Sequence, residues 1–238
     1  MFAKEKPMSS VPVITIDGPS GAGKGTISYI LSEKLGWHFL DSGVIYRCLA
    51  YKVYTNRVDL FDTAKITLLA EYMEPKFIHH KSDKFQVWLD NEDVTTLIRA
   101  ENIGQIASKI SNHCHVRQAL LHCQRQFAQF PGLIADGRDM GTVVFPHAEL
   151  KIFLEADPSE RARRRYSQLK ETNSDITLEQ VTTALLERDK RDQERSIAPL
   201  VSANDAVTTD TTHISIAETV EEVLRLAHEK KLVVAQCV

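Results

Sequence analysis

The chain has 238 residues, 43% hydrophobic and 26% charged, with a formal net charge of −3. This is ordinary globular usage, long enough to bury a core without disulfides or metals, and it argues against disorder. The charge excludes a general pull toward nucleic acid or anionic membranes, so a polyanionic ligand needs locally clustered basic groups.

Met1 to Ser10 holds Lys4, Glu5 and Lys6 and no apolar run, so no signal peptide is expected there. Val11–Asp17 is apolar and β-branched and ends at a Gly-rich turn, which predicts a buried parallel strand. From Lys24 to Leu35 the spacing of Ile27, Ile30, Leu31 and Leu35 predicts a helix, stopped by Gly36. Trp37–Leu40 reads as a second short strand, and Asp41-Ser42 caps a helix running toward Asn56. Phe77–His80 and Phe85–Asp90 read as two strands around the turn Lys81–Lys84, with Val94 at the start of a third. That small antiparallel sheet is expected outside the parallel core, on the substrate side. Leu133–Ala135 and Lys151–Leu154 are further short strands, and Ala206–Thr209 is a last one. An amphipathic helix with Ile216, Val220, Val223, Leu224 and Ala227 follows. Strands alternating with helices predict an α/β fold, a parallel sheet flanked by helices with ligands at the strand C-termini.

Gly18, Pro19, Ser20, Gly21, Ala22, Gly23, Lys24, Gly25 and Thr26 lie between the first strand and the first helix. That is the setting of a phosphate-binding loop. Backbone N–H groups turn inward around phosphate, and the helix N-terminus adds partial positive charge. Lys24 can reach the β- and γ-phosphates, and Thr26 offers a hydroxyl near a metal. Gly25 stands where GTPases and many ATPases place Ser or Thr. Asp136, at the end of an apolar strand, is a candidate metal-orienting carboxylate acting through water.

Seven of the fourteen arginines lie between Arg161 and Arg195. Arg161, Arg164 and Arg165 are spaced to share a helical face after Asp157-Pro158, and opposite a phosphate loop they suggest a lid. Arg188, Asp192 and Arg195, at i, i+4 and i+7, also share a face. Four cysteines (Cys48, Cys114, Cys123, Cys237) have no paired CxxC spacing. A zinc reading of His113-Cys114-His115 with His122-Cys123 is set aside, because adjacent ligands point to different faces of a helix. No stretch approaches the ~18 apolar residues of a membrane helix. A cytoplasmic monomer with reduced thiols is expected.

With these segments in view, the chain resembles the bacterial cytidylate kinases, from Val13 to about Ala227. The resemblance rests on Ile16–Thr26, on Leu40-Asp-Ser-Gly43 with Ile45-Tyr46-Arg47, on Ile134–Thr142, and on Arg188-Asp-x-Arg-Asp192 with Arg195. The β-rich segment near 74–95 resembles the insert that marks this family. The resemblance implies one domain over 1–238, with a core at about 11–41, 107–155 and 180–232. It also implies a monophosphate-binding region at about 42–106 and a helical lid at about 156–175. The implied activity is in-line phosphoryl transfer from ATP, with Mg²⁺, to CMP and dCMP in pyrimidine metabolism. Ser42, Arg47, Arg138 and Arg195 would contact the acceptor phosphate; Ser108, Arg117 and Asp139 the cytosine; Arg188 and Asp192 the pentose. Residues 18–26 would bind ATP, Thr26 and Asp136 the metal, and Lys24, Arg138, Arg161, Arg164 and Arg188 would serve catalysis. A kinase for UMP or AMP is the nearest alternative. A GTPase is disfavoured by Gly25 and by the lack of an Asn-Lys-x-Asp motif, and a nucleic-acid binder by the missing basic excess.

Overall fold

The computed structural model describes residues 11–78, 85–170 and 175–233. Strand β1 (Val13–Asp17) is fully buried, as an apolar run between two layers must be. It alternates sides: Ile14 and Ile16 join one core cluster while Val13 joins the other. Helix α1 (Lys24–Leu35) ends at Gly36, whose left-handed φ of 63° closes the turn. Strand β2 (His38–Asp41) leads into α2 (Ser42–Thr55), with the Asp41 side chain accepting from the N–H of Val44.

The chain then leaves the main sheet. After α3 (Thr63–Tyr72), strands β3 (Pro75–Ile78), β4 (Gln86–Leu89) and β5 (Glu92–Asp93) form a three-stranded antiparallel sheet. The third strand ends at Asp93, one residue before the Val94 expected to open it. Val94 is instead buried, its N–H bonded to the carbonyl of Val87. Phe85 and Phe77 fasten this sheet by packing on Phe39 of β2, at 5.0 and 5.9 Å between ring centroids. His79, His80, the expected turn Lys81–Lys84, Met1–Ser10 and Cys237 lie outside the described residues, as do positions 171–174 of the expected lid.

Helices α4 (Glu101–Ile110) and α5 (Cys114–Arg125) return the chain to β6 (Leu133–Gly137) and, after a π-helical turn at Met140–Val144, to β7 (Leu150–Glu155). Helices α6 (Pro158–Lys170) and α7 (Leu178–Gln193), strand β8 (Val207–Asp210) and helix α8 (Ile216–Glu229) complete the fold. The main sheet is parallel with order β2-β6-β1-β7-β8. The register sets Asp41 beside Asp136 and Asp17 beside Gly137. Three carboxylates therefore gather at the C-terminal ends of neighbouring strands, the edge where open α/β sheets bind ligands.

Candidate active site

The loop between β1 and α1 is shaped by close approach. Gly18 has φ of 145°, and a Cβ there would lie 2.1 Å from the carbonyl oxygen of Leu154. Helix α1 starts at Gly23 without a side-chain cap and without an acidic residue in its first turn. Its first N–H groups and the positive end of its dipole are thus left to an anion. The Lys24 ammonium donates to the Pro19 carbonyl at 2.8 Å, folding back over the loop. Thr26 is exposed on the same first turn.

Around the loop, Lys24, Asp17 and Asp136 are only 5–6% exposed. Burial lowers Lys24 to about 7, helped by the charge of Arg138 and opposed by Asp136. Burial likewise raises Asp136, against the pull of Lys24 and with Asp41 adding to the rise. Asp17 rises to about 6 through burial, even though its carboxylate accepts the backbone N–H groups of Met140 and Gly141 at 2.8 and 2.7 Å. These two bonds hold the π-helical turn against the end of β1. A Cβ on Gly25 would lie 3.3 Å from Asp136 Oδ2, so a Ser or Thr after Lys24 would press on that carboxylate. Hydroxyl and carboxylate oxygens are the hard donors that Mg²⁺ takes, usually with one or two carboxylates and the substrate phosphates. Thr26 and Asp136 suit it.

Across the cleft Asp192 collects arginines. Arg138 Nε donates to it at 2.9 Å, Arg195 pairs with its other oxygen, and Arg188 stands at 4.0 Å. Burial works to raise Asp192, but the charges of Arg138, Arg195 and Arg188 outweigh it and hold the carboxyl below its usual range. Arg138 also donates to Ser20 Oγ at 2.7 Å, so it joins this cluster to the phosphate loop. Deeper on that side, Arg117 pairs with Asp139, both buried, and stacks 5.7 Å from the centroid of Tyr46. Ser42 Oγ donates to Gln124 at 2.8 Å, and Arg47 donates to the Ile98 carbonyl at 2.7 Å. Ser108 lies on α4, half-buried.

The arginines expected on one face of α6 diverge. Arg161 is buried and donates to the carbonyls of Ala156 and Ser20, both at 3.0 Å, and pairs with Asp189. Arg164 binds Glu160 at 2.8 Å and the Thr211 carbonyl at 2.6 Å, and Arg165 reaches Gln168. The three still share one side of α6, but Arg161 reaches across to α7 while Arg164 turns to the end of β8. Arg164 borders a cavity of about 470 Å³ beside the loop, with Gly23, Thr26, Thr211, Ile214 and Ser215. Sequence reasoning gave no role to Asp17, Gln124 or Asp189. Only Asp17 carried a signal, as a carboxylate ending a strand directly before the phosphate loop.

The family described as cytidylate kinase matches residues 14–229. The cytidylate kinase of Colwellia psychrerythraea is 49% identical over 221 residues, covering 93% of this chain and 98% of that one. The cytidylate kinase of Aeromonas salmonicida is 51% identical over 219 residues, covering 92% and 95%. That of Shewanella piezotolerans is 51% identical over 221 residues, covering 92% and 94%.

Proposed function

The chain belongs to the cytidylate kinase family, and from that premise we propose how its residues divide the work of the reaction. The activity is ATP-dependent phosphorylation of CMP and dCMP. The attacking atom is a phosphate oxygen already anionic at neutral pH, so no catalytic base is needed. Alignment and charge neutralisation remain as the sources of rate.

In this reading residues 18–26 receive the ATP phosphates, and Lys24 gains its full charge as they arrive. The cavity beside Arg164 takes the adenine end. Ser42, Arg47, Arg138 and Arg195 hold the acceptor phosphate, Arg188 and Asp192 the pentose, and Ser108, Arg117 and Asp139 the cytosine. Arg138 and Arg188 neutralise the transferring group, and Arg164 adds charge from α6. Arg161 serves the same reaction by holding the loop from beneath. Thr26 and Asp136 would hold Mg²⁺, directly or through water, and its chemistry there would be neutralisation of phosphate charge. A monomer acting in the cytoplasm, with α6 opening and closing over the loop, completes the reading. No described helix is long and apolar enough to cross a membrane.

The observation that supports it best is Arg138, which reaches both Ser20 of the donor loop and Asp192 of the arginine cluster. One guanidinium lies between the two sets of residues. The test is incubation with ATP, Mg²⁺ and CMP, dCMP, UMP or AMP separately, with identification of the diphosphate. CDP and dCDP are expected to form fastest. A faster yield of UDP or ADP from the acceptor would overturn the base assignment.

A further inference from the structure

Ser20 is held twice from helix α7. Asp192 binds Arg138, and Arg138 donates to Ser20 Oγ at 2.7 Å. Asp189 binds Arg161, and Arg161 donates to the Ser20 carbonyl at 3.0 Å. Asp189 and Asp192 are three residues apart, hence on one face of α7, and each is 6% exposed. Buried charge pairs of this kind keep their geometry far better than surface pairs do, because water does not compete for them.

The two arms differ in what they hold. The Arg161 arm holds a backbone carbonyl, which any residue at position 20 would supply. The Arg138 arm holds a hydroxyl, which depends on serine itself. Arg138 has donors on both sides, Nε toward Asp192 and a terminal nitrogen toward Ser20. A guanidinium is planar and rigid, so it cannot follow one partner without turning against the other. In the reading above, the acceptor's pentose and phosphate meet Asp192, Arg188 and Arg138. If their arrival redistributes the bonds of Asp192 and turns Arg138, the turn reaches Ser20 through the 2.7 Å bond.

We propose that Ser20 is a positioning residue through which acceptor occupancy sets the affinity of the phosphate loop for ATP. By linkage, ATP must act on acceptor binding with the same factor. The proposal rests on the acceptor assignment given above and adds the residue that joins the two subsites.

The test is binding of a non-hydrolysable ATP analogue with Mg²⁺, by calorimetry, with and without saturating CMP. The readout is the factor by which CMP tightens the analogue, in wild type, Ser20→Ala, Ser20→Cys and Ser20→Thr. Wild type should show a factor well above one. Ser20→Ala should lower it by on the order of fivefold, within the usual range of coupling between sites. Ser20→Cys keeps the shape but offers a poor acceptor, so it should behave like alanine and stands in if alanine fails to fold. Ser20→Thr keeps the hydroxyl and should restore the factor. A variant that binds both ligands more weakly with an unchanged factor makes Ser20 a simple contact and overturns the proposal. A wild-type factor of one overturns it as well. CMP that fails to bind wild type alone would sink the acceptor assignment itself, and this proposal with it.

Discussion

Lys24, Asp17 and Asp136 gather at the phosphate loop, and Asp192 gathers Arg138, Arg188 and Arg195. Both groups keep their carboxylates buried, yet their protons behave differently. At the loop, burial wins: Lys24 falls to about 7 and Asp17 rises to about 6. Around Asp192 burial loses, because three guanidinium charges converge on one carboxylate. The difference lies in the cation. A lysine can shed its proton when desolvated, whereas an arginine keeps its charge and its fixed fork of donors. In the proposed reading, the donor side would thus gain charge as phosphate arrives, while the acceptor side carries its charge already.

Four experiments can break or sharpen this contrast. The largest effect is expected at the arginine cluster. Asp192→Ala leaves like charges facing each other and should cost about 3–5 kcal/mol of folding stability, as for other buried pairs broken on one side. Urea denaturation measures it, and a loss below about 1 kcal/mol would deny the cluster its structural role.

Lys24→Met should behave the opposite way. Burial already works against the charge of this lysine, so stability and CMP binding should survive its loss. Phosphoryl transfer should fall on the order of 10²-fold or more, since preorganised charge at the transferring group is lost. Near-normal turnover would move the donor site elsewhere.

Arg117–Asp139 is another buried pair and, in the proposed reading, the one that reads the base. An aspartate can accept from the N4 amine of cytosine, while uracil presents O4 there. Such a mismatch costs ~1–3 kcal/mol per unpaired group. Asp139→Ala should therefore lower kcat/KM for CMP and narrow the ratio between CMP and UMP. Equal falls for both acceptors would mean that the base is read by other groups.

The smallest effect concerns Asp17 and pH. Its native value near 6 exceeds the ordinary 3.8, so the folded chain takes up this proton first. The resulting stabilisation is complete below 3.8 and is lost as pH rises through 6. Between pH 7 and pH 5, wild type should gain about 1 kcal/mol over Asp17→Asn in chemical denaturation. A constant difference would mean that Asp17 titrates normally.

Much of the fold was legible because it rests on local rules. The apolar run of β1, the Gly36 stop and the Asp41 cap each act within a few residues. The phosphate loop was legible for the same reason. What escaped depends on distant parts of the chain. Asp17 bonds residues 123 and 124 positions away, and Arg161 reaches Ser20 across 141. Helical spacing placed Arg161, Arg164 and Arg165 together, but spacing says nothing about which neighbour a long side chain finds. The pairing of Ser42 with Gln124, 82 residues apart, left no local mark either.

The 3.3 Å between a would-be Cβ on Gly25 and the carboxylate of Asp136 also constrains how such chains can diverge. A serine at position 25 would restore the commoner loop sequence but would crowd the carboxylate on the neighbouring strand. Shortening of residue 136 alone would remove an oxygen donor before anything replaced it. The two positions meet in space, although 111 positions separate them in the chain. A side chain at position 25 and the carboxylate at position 136 therefore share one small space, and a change at either is felt at the other.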